Sequence, residues 1–73
     1  MKREIEILLN GKNRSISAGQ TVEDLIQQLE LKSDQVAVEV NRSILKREAW
    51  KEHSFEEGDI VEIVHFVGGG KED

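Results

Sequence analysis

Asn10-Gly11 stands between two strand-like stretches, and no other dipeptide in the chain limits the fold as strongly. Both residue types tolerate positive φ, which a two-residue hairpin turn requires at its centre. Upstream, Ile5, Ile7 and Leu9 recur at period two, so Glu4–Leu9 reads as a strand with those three residues on one face. Downstream, Lys12–Ser17 returns as its partner. It is polar apart from Ile16, its clearest inward candidate, and belongs at or near a sheet edge.

A helix follows. Thr21 is a good N-cap, Asp24 lies three residues on in a shortened capping box, and Glu23 and Asp24 suit the positive end of the helix dipole. Val22, Leu25, Ile26 and Leu29 keep the i, i+3, i+4, i+7 spacing of one buried face. The spacing predicts a helix over residues 22–30 or 22–31, then a loop at Lys32-Ser33-Asp34. Val36–Val40 alternates as the third strand. Asn41-Arg42 makes a turn and Ser43-Ile44-Leu45 a short extended return. Residues 48–51 read as one helical turn around Trp50, which acts either as a lid on the small core or as a stacking platform. Gly58, in Glu56-Glu57-Gly58-Asp59, sits where a turn requires positive φ.

Residues 60–67 form the last strand. Glu62 marks one face as solvent-facing, so Val61 and Ile63, with His65, belong to the other. Val64 and Phe66 then become exposed apolar residues, which mark a partner site unless Phe66 folds over the core edge. The order is ββαββ with a short extra strand before the last. This is an α+β, β-grasp (ubiquitin-like) arrangement in which a mixed sheet packs on one helix, with the first and last strands central and adjacent. The expected division is a domain over residues 1–67 and a flexible tail over residues 68–73. Gly68, Gly69 and Gly70 in that tail serve either as part of a frayed end or as an arm without side chains that can enter another protein's active site.

With 73 residues, no cysteine and two histidines, the chain has neither disulfide nor evident metal cage to staple it. A net charge of −5 disfavours nucleic acid and anionic membranes and suits a basic protein partner. No stretch approaches the length of a membrane span, no apolar signal segment opens the chain, and a cytoplasmic location is expected. No catalytic constellation is recognisable. The serines have no histidine in a known motif, and Glu56, Glu57 and Asp59 do not follow a calcium-loop pattern. His65 reads as a satisfied structural histidine. Catalytic residues, a metal site and a bound cofactor are therefore not expected.

Several segments together resemble the ThiS family of thiamine-biosynthesis sulfur carrier proteins. They are the Asn10-Gly11-Lys12 hairpin, Thr21-Val22-Glu23-Asp24-Leu25, Val36-Ala37-Val38-Glu39-Val40-Asn41, and the final strand running from Gly58-Asp59 through Phe66-Val67 into Gly68-Gly69-Gly70. The resemblance implies a ubiquitin-like carrier that is not an enzyme. A ThiF-like, E1-type adenylating enzyme would use ATP and Mg²⁺ to activate a C-terminal glycine carboxylate. Sulfur derived from a cysteine desulfurase would then convert it to a thiocarboxylate, for use by a ThiG-like thiazole synthase. Gly70 matches the reactive terminus, with Gly69 as the second choice, and Val64, Phe66 and Val67 match the partner-facing surface.

The family ends at the glycine, whereas Lys71-Glu72-Asp73 follow here. The resemblance therefore implies removal of these three residues by a peptidase before sulfur loading. Two alternatives stay open: sulfur carriage for another pathway, such as molybdopterin or a sulfur amino acid, and a TGS-like binding module without sulfur chemistry. TGS-like modules share the Gly-Asp turn before a Val-Glu-Ile strand.

Overall fold

The computed structural model describes residues 3–66. It contains β1 (Glu4–Leu9), β2 (Lys12–Ser17), α1 (Val22–Gln28), β3 (Val36–Val40), β4 (Ser43–Leu45) and β5 (Ile60–His65), with 3₁₀ turns at Ser33–Gln35 and Arg47–Glu52. The sheet order is β2-β1-β5-β3-β4. β5 runs parallel to β1 and antiparallel to β3, so the sheet is mixed and its first and last strands are neighbours. β2 lies at one edge, in keeping with its polar sequence. Val67, Gly68, Gly69 and Gly70 lie outside the described residues, as does the expected division at residue 67.

Both tight turns take the left-handed backbone that their residues allow. Asn10 and Gly11 have φ of 50° and 82°, and Asn41 and Arg42 have 52° and 73°. The two asparagines also extend the sheet. The β1–β5 ladder holds only the pairs Leu8↔Ile60 and Leu9↔Val61, because the chain turns away at Asn10. Asn10 N–H donates to the Val61 carbonyl at 2.9 Å, and its Oδ1 accepts from Ile63 N–H at 2.8 Å. A side chain thus supplies the acceptor that β1 would have presented had it continued. On the other flank, Asn41 Oδ1 accepts from Ile60 N–H at 3.0 Å and its Nδ2 donates to Asp59 Oδ1 at 3.1 Å.

α1 starts as its sequence indicates. Thr21 Oγ1 accepts from Asp24 N–H and Asp24 Oδ2 accepts from Thr21 N–H, each at 3.1 Å. The helix ends earlier than the spacing predicts, at Gln28. Glu30 takes φ of 60°, Glu30 N–H donates to the Gln27 carbonyl at 3.0 Å, and Leu31 N–H donates to the Ile26 carbonyl at 3.1 Å. This is a Schellman ending with a glutamate in the position glycine usually fills. With no glycine there, the stop left no mark in the sequence; Leu29, the C-cap, and Leu31, beyond the left-handed Glu30, both pack on the core.

Ile5, Ile7, Ile16, Val22, Leu25, Ile26, Val36, Val38, Val40, Trp50, Phe55, Val61 and Ile63 form the buried core between α1 and one sheet face. Trp50 closes it as a lid. The turn around Trp50 spans Arg47–Glu52, wider than residues 48–51, and the indole N–H donates to the Leu45 carbonyl at 3.0 Å. The expected loop after α1 carries the 3₁₀ turn Ser33–Gln35. Gly58 has φ of 85°, as its turn requires, and its N–H donates to the Glu6 carbonyl at 2.8 Å. Among the described residues, no helix is long and apolar enough to cross a membrane.

Two stability predictions follow from these junctions. Asn10→Gly keeps the left-handed turn but removes the acceptor for Ile63 N–H, and should cost about 1–2 kcal/mol in urea denaturation. Glu30→Gly relieves a left-handed residue that is not glycine, a conformation costing roughly 1–2 kcal/mol. Part of that relief is offset by the unfolded-state entropy of glycine, so a gain of about 0.5–1 kcal/mol is expected in the same assay.

Candidate functional site

Among the described residues there is one α-helix, so one sheet face is covered and the other is open. Alternation and strand register define the open face. Glu4, Glu6 and Leu8 lie on it from β1, Ile60, Glu62 and Val64 from β5, Ala37 and Glu39 from β3, and Ile44 from β4. Phe66 continues the β5 alternation, and its N–H donates to the Gln35 carbonyl at 3.0 Å, so the chain is still tied beside β3 at that point.

Among the described residues, the large hydrophobic side chains left exposed are Ile44 (73%), Ile60 (40%), Val64 (53%) and Phe66 (56%). All four belong to this face. Phe66 at that exposure does not cap the core edge, which removes one of its two sequence-based alternatives. Val64 and Phe66 stand where the sequence places them. The partner surface expected from the sequence contains neither Ile60 nor Ile44, and the structure adds both to it. In the structure Leu45 turns inward opposite Val38, which forces Ile44 outward.

The charges of the strands separate by face. Glu4, Glu6, Glu39 and Glu62 are on the open side, whereas Lys12 and Arg14 pair opposite Leu9 and Ile7 on the helix side. Glu39 and Glu62 stand directly opposite each other in the β3–β5 ladder, and Ile44 stands opposite Glu39.

His65 corrects the sequence reading. It shares the core face, opposite the buried Val36, but it is the last residue of β5 and is exposed rather than enclosed. In the Glu56–Asp59 turn, two of the three carboxylates are engaged by the turn's own surroundings. Glu57 Oε1 accepts from Glu6 N–H at 3.0 Å and Asp59 Oδ2 accepts from Glu56 N–H at 2.9 Å. Among the described residues, no group of three or more metal-ligating side chains could hold an ion. A recess of about 320 Å³ lies on the helix side, lined by Glu23, Ile26, Gln27, Leu31, Ser33, Arg47 and Trp50. Its arginine is already engaged. Arg47 Nε donates to the Ser33 carbonyl at 3.0 Å, and its guanidinium sits 5.7 Å from the Trp50 ring centre.

The ThiS family model matches residues 7–70. The chain belongs to the ThiS family. It is 33% identical over 66 residues to the sulfur carrier protein ThiS of Escherichia coli K12, covering 90% of this chain and all of that relative. A crystal structure of the thiamine biosynthesis protein ThiS from Geobacter metallireducens superposes with a TM-score of 0.78 at 32% identity, covering 90% of this chain and 100% of that one. This likeness carries the ThiS β-grasp fold at the level of coordinates. The chain is also 38% identical over 68 residues to a thiazole synthase of Paramagnetospirillum magneticum, covering 93% of this chain. It spans only 21% of that relative's length. The ThiS match ends at Gly70, one of the tail residues outside the described structure.

Val64→Ser and Ile44→Ser should each change unfolding free energy by no more than about 0.5 kcal/mol, because neither side chain is packed in the core. Leu25→Ala, at a fully buried position, should cost about 2–5 kcal/mol. Thermal and urea unfolding of the three variants checks the contrast.

Proposed function

We propose that this chain is a sulfur carrier of thiamine biosynthesis that works through the carboxylate of Gly70. The observation that carries the proposal is the ThiS family match over residues 7–70, which stops on the last of three glycines, together with a separate 66-residue alignment that spans the whole of a relative named as a sulfur carrier.

The chemistry needs no catalytic side chain from the carrier. In the partner adenylating enzyme, which uses ATP and Mg²⁺, the Gly70 carboxylate attacks the α-phosphorus of ATP. Pyrophosphate leaves and an acyl-adenylate forms. A persulfide sulfur from a cysteine desulfurase attacks the acyl carbon and expels AMP. A thiol then attacks the outer sulfur of the resulting acyl disulfide, leaving the thiocarboxylate on Gly70 and a new disulfide on the thiol side. Glycines suit this arm because a backbone without Cβ atoms can thread a narrow cleft. Val64, Phe66 and Val67 form the surface that the adenylating enzyme and then a thiazole synthase engage, with Ile44 and Ile60 extending it. The match to a segment of a protein named thiazole synthase favours thiazole as the destination of the sulfur over molybdopterin or a sulfur amino acid.

Gly70 can be adenylated only as a free carboxylate, and while Lys71 is attached it offers an amide. Chain ending at Gly70, incubated with an E1-type adenylating enzyme, Mg-ATP and a persulfide donor, should release pyrophosphate. Intact-mass measurement should show one oxygen exchanged for sulfur. Gly70→Ala should slow product formation by about tenfold or more, corresponding to about 1.4 kcal/mol of lost positioning. Equal rates for the two would overturn the role given to Gly70, and absence of pyrophosphate release from the parent chain would overturn the carrier function.

A further inference from the structure

The open sheet face carries two features that its part in sulfur transfer does not require: a bias to one sign of charge, and a like-charge pair at its middle. Cross-strand neighbours directly opposite each other interact, and two carboxylates in that relation destabilise the sheet. Glu39 and Glu62 occupy such a pair. They lie inside the apolar patch rather than at its rim: Ile60 and Val64 flank Glu62 along β5, and Ile44 stands across from Glu39. Glu4 and Glu6 add further negative charge on β1, and no strand residue on this face is lysine or arginine.

We propose that this face docks a protein surface that is apolar and carries a lysine or arginine at its centre, and that this cation seats between Glu39 and Glu62. The charge pattern chooses among occupants. A second copy of the chain placed face to face would bring four central carboxylates together. Nucleic acid and anionic lipid present the same sign of charge as the patch. A cation enclosed by Ile44, Ile60, Val64 and Phe66 would neutralise the pair while the apolar ring excludes water, which strengthens the attraction relative to an exposed ion pair. Desolvation of an apolar ring around a polar centre is also the usual layout of an energetically dominant contact. The pair raises the energy of the free carrier and lowers that of the complex, so it acts as a specificity element for a basic partner.

This inference rests on the carrier function, which supplies the adenylating enzyme as the partner to test. Binding of the full 73-residue chain to that enzyme is measured by titration calorimetry at low and high salt, for the parent and for the Glu39→Gln/Glu62→Gln double variant. Binding should weaken with salt for the parent and much less for the variant. At low salt the variant should bind about tenfold more weakly. Its thermal unfolding midpoint should be equal to or above the parent's, because a like-charge repulsion has been removed; a purely structural role for the two glutamates would lower it. Equal affinity and equal salt dependence for the two proteins would overturn the proposal. Salt-dependent binding that the variant loses, without pyrophosphate release from the chain ending at Gly70, would leave the docking surface standing and remove the sulfur-transfer function.

Discussion

The parallel contact between β1 and β5 is two residue pairs long, and the architecture depends on how it is extended. A parallel pairing that short would leave β5 held mainly from one side. Asn10 prevents this by doing two things at one position. It takes the left-handed conformation that turns β1 into β2, and its side chain accepts the Ile63 N–H that β1 no longer reaches. Asn41 repeats the device on the β3 flank, bonding Ile60 N–H and Asp59. β5 is therefore fixed at its start by two turn asparagines and along its length by β3. The direction in which its last residues leave the sheet follows from that clamping.

A second constraint is the shortage of covering structure. The described residues supply one seven-residue α-helix, and that helix closes a core of aliphatic residues joined by Trp50 and Phe55. Among the described residues, nothing covers the opposite face. In a small acidic domain that exposure would be a liability unless charge interrupted it or a partner covered it. Here both conditions can hold at once, because Glu39 and Glu62 interrupt the apolar patch formed by Ile44, Ile60, Val64 and Phe66. The same carboxylates that deter self-association give a basic partner a point of recognition.

The legible parts of the fold were those governed by local chemistry. Period-two alternation placed Ile5, Ile7, Val36, Val38, Val61 and Ile63 inside, and the residues that accept positive φ marked the turns at Asn10-Gly11 and Gly58. The N-terminus of α1 was legible because its capping groups lie three residues apart. Its C-terminus was not, because Glu30 adopts a glycine-like conformation that its identity does not announce. The outward set of β5 was legible from Glu62, which identified Val64 and Phe66. Ile44 escaped notice because β4 is only three residues long, too short for alternation to stand out.

By itself, the amino-acid sequence determined the order of the strands and the helix, the inward set of the longer strands, and the glycine run on which the proposed chemistry turns. Each of these depends on residues a few positions apart, where backbone preference and side-chain period act directly. The tertiary structure decided which distant residues share a neighbourhood. Glu39 faces Glu62, Ile44 joins the β5 patch, and Asn10 completes a ladder with Ile63, because sheet order and register bring them together. Register is set by the packing of the whole hydrophobic face against α1, since a slip of one residue would turn the inward set of a strand to solvent.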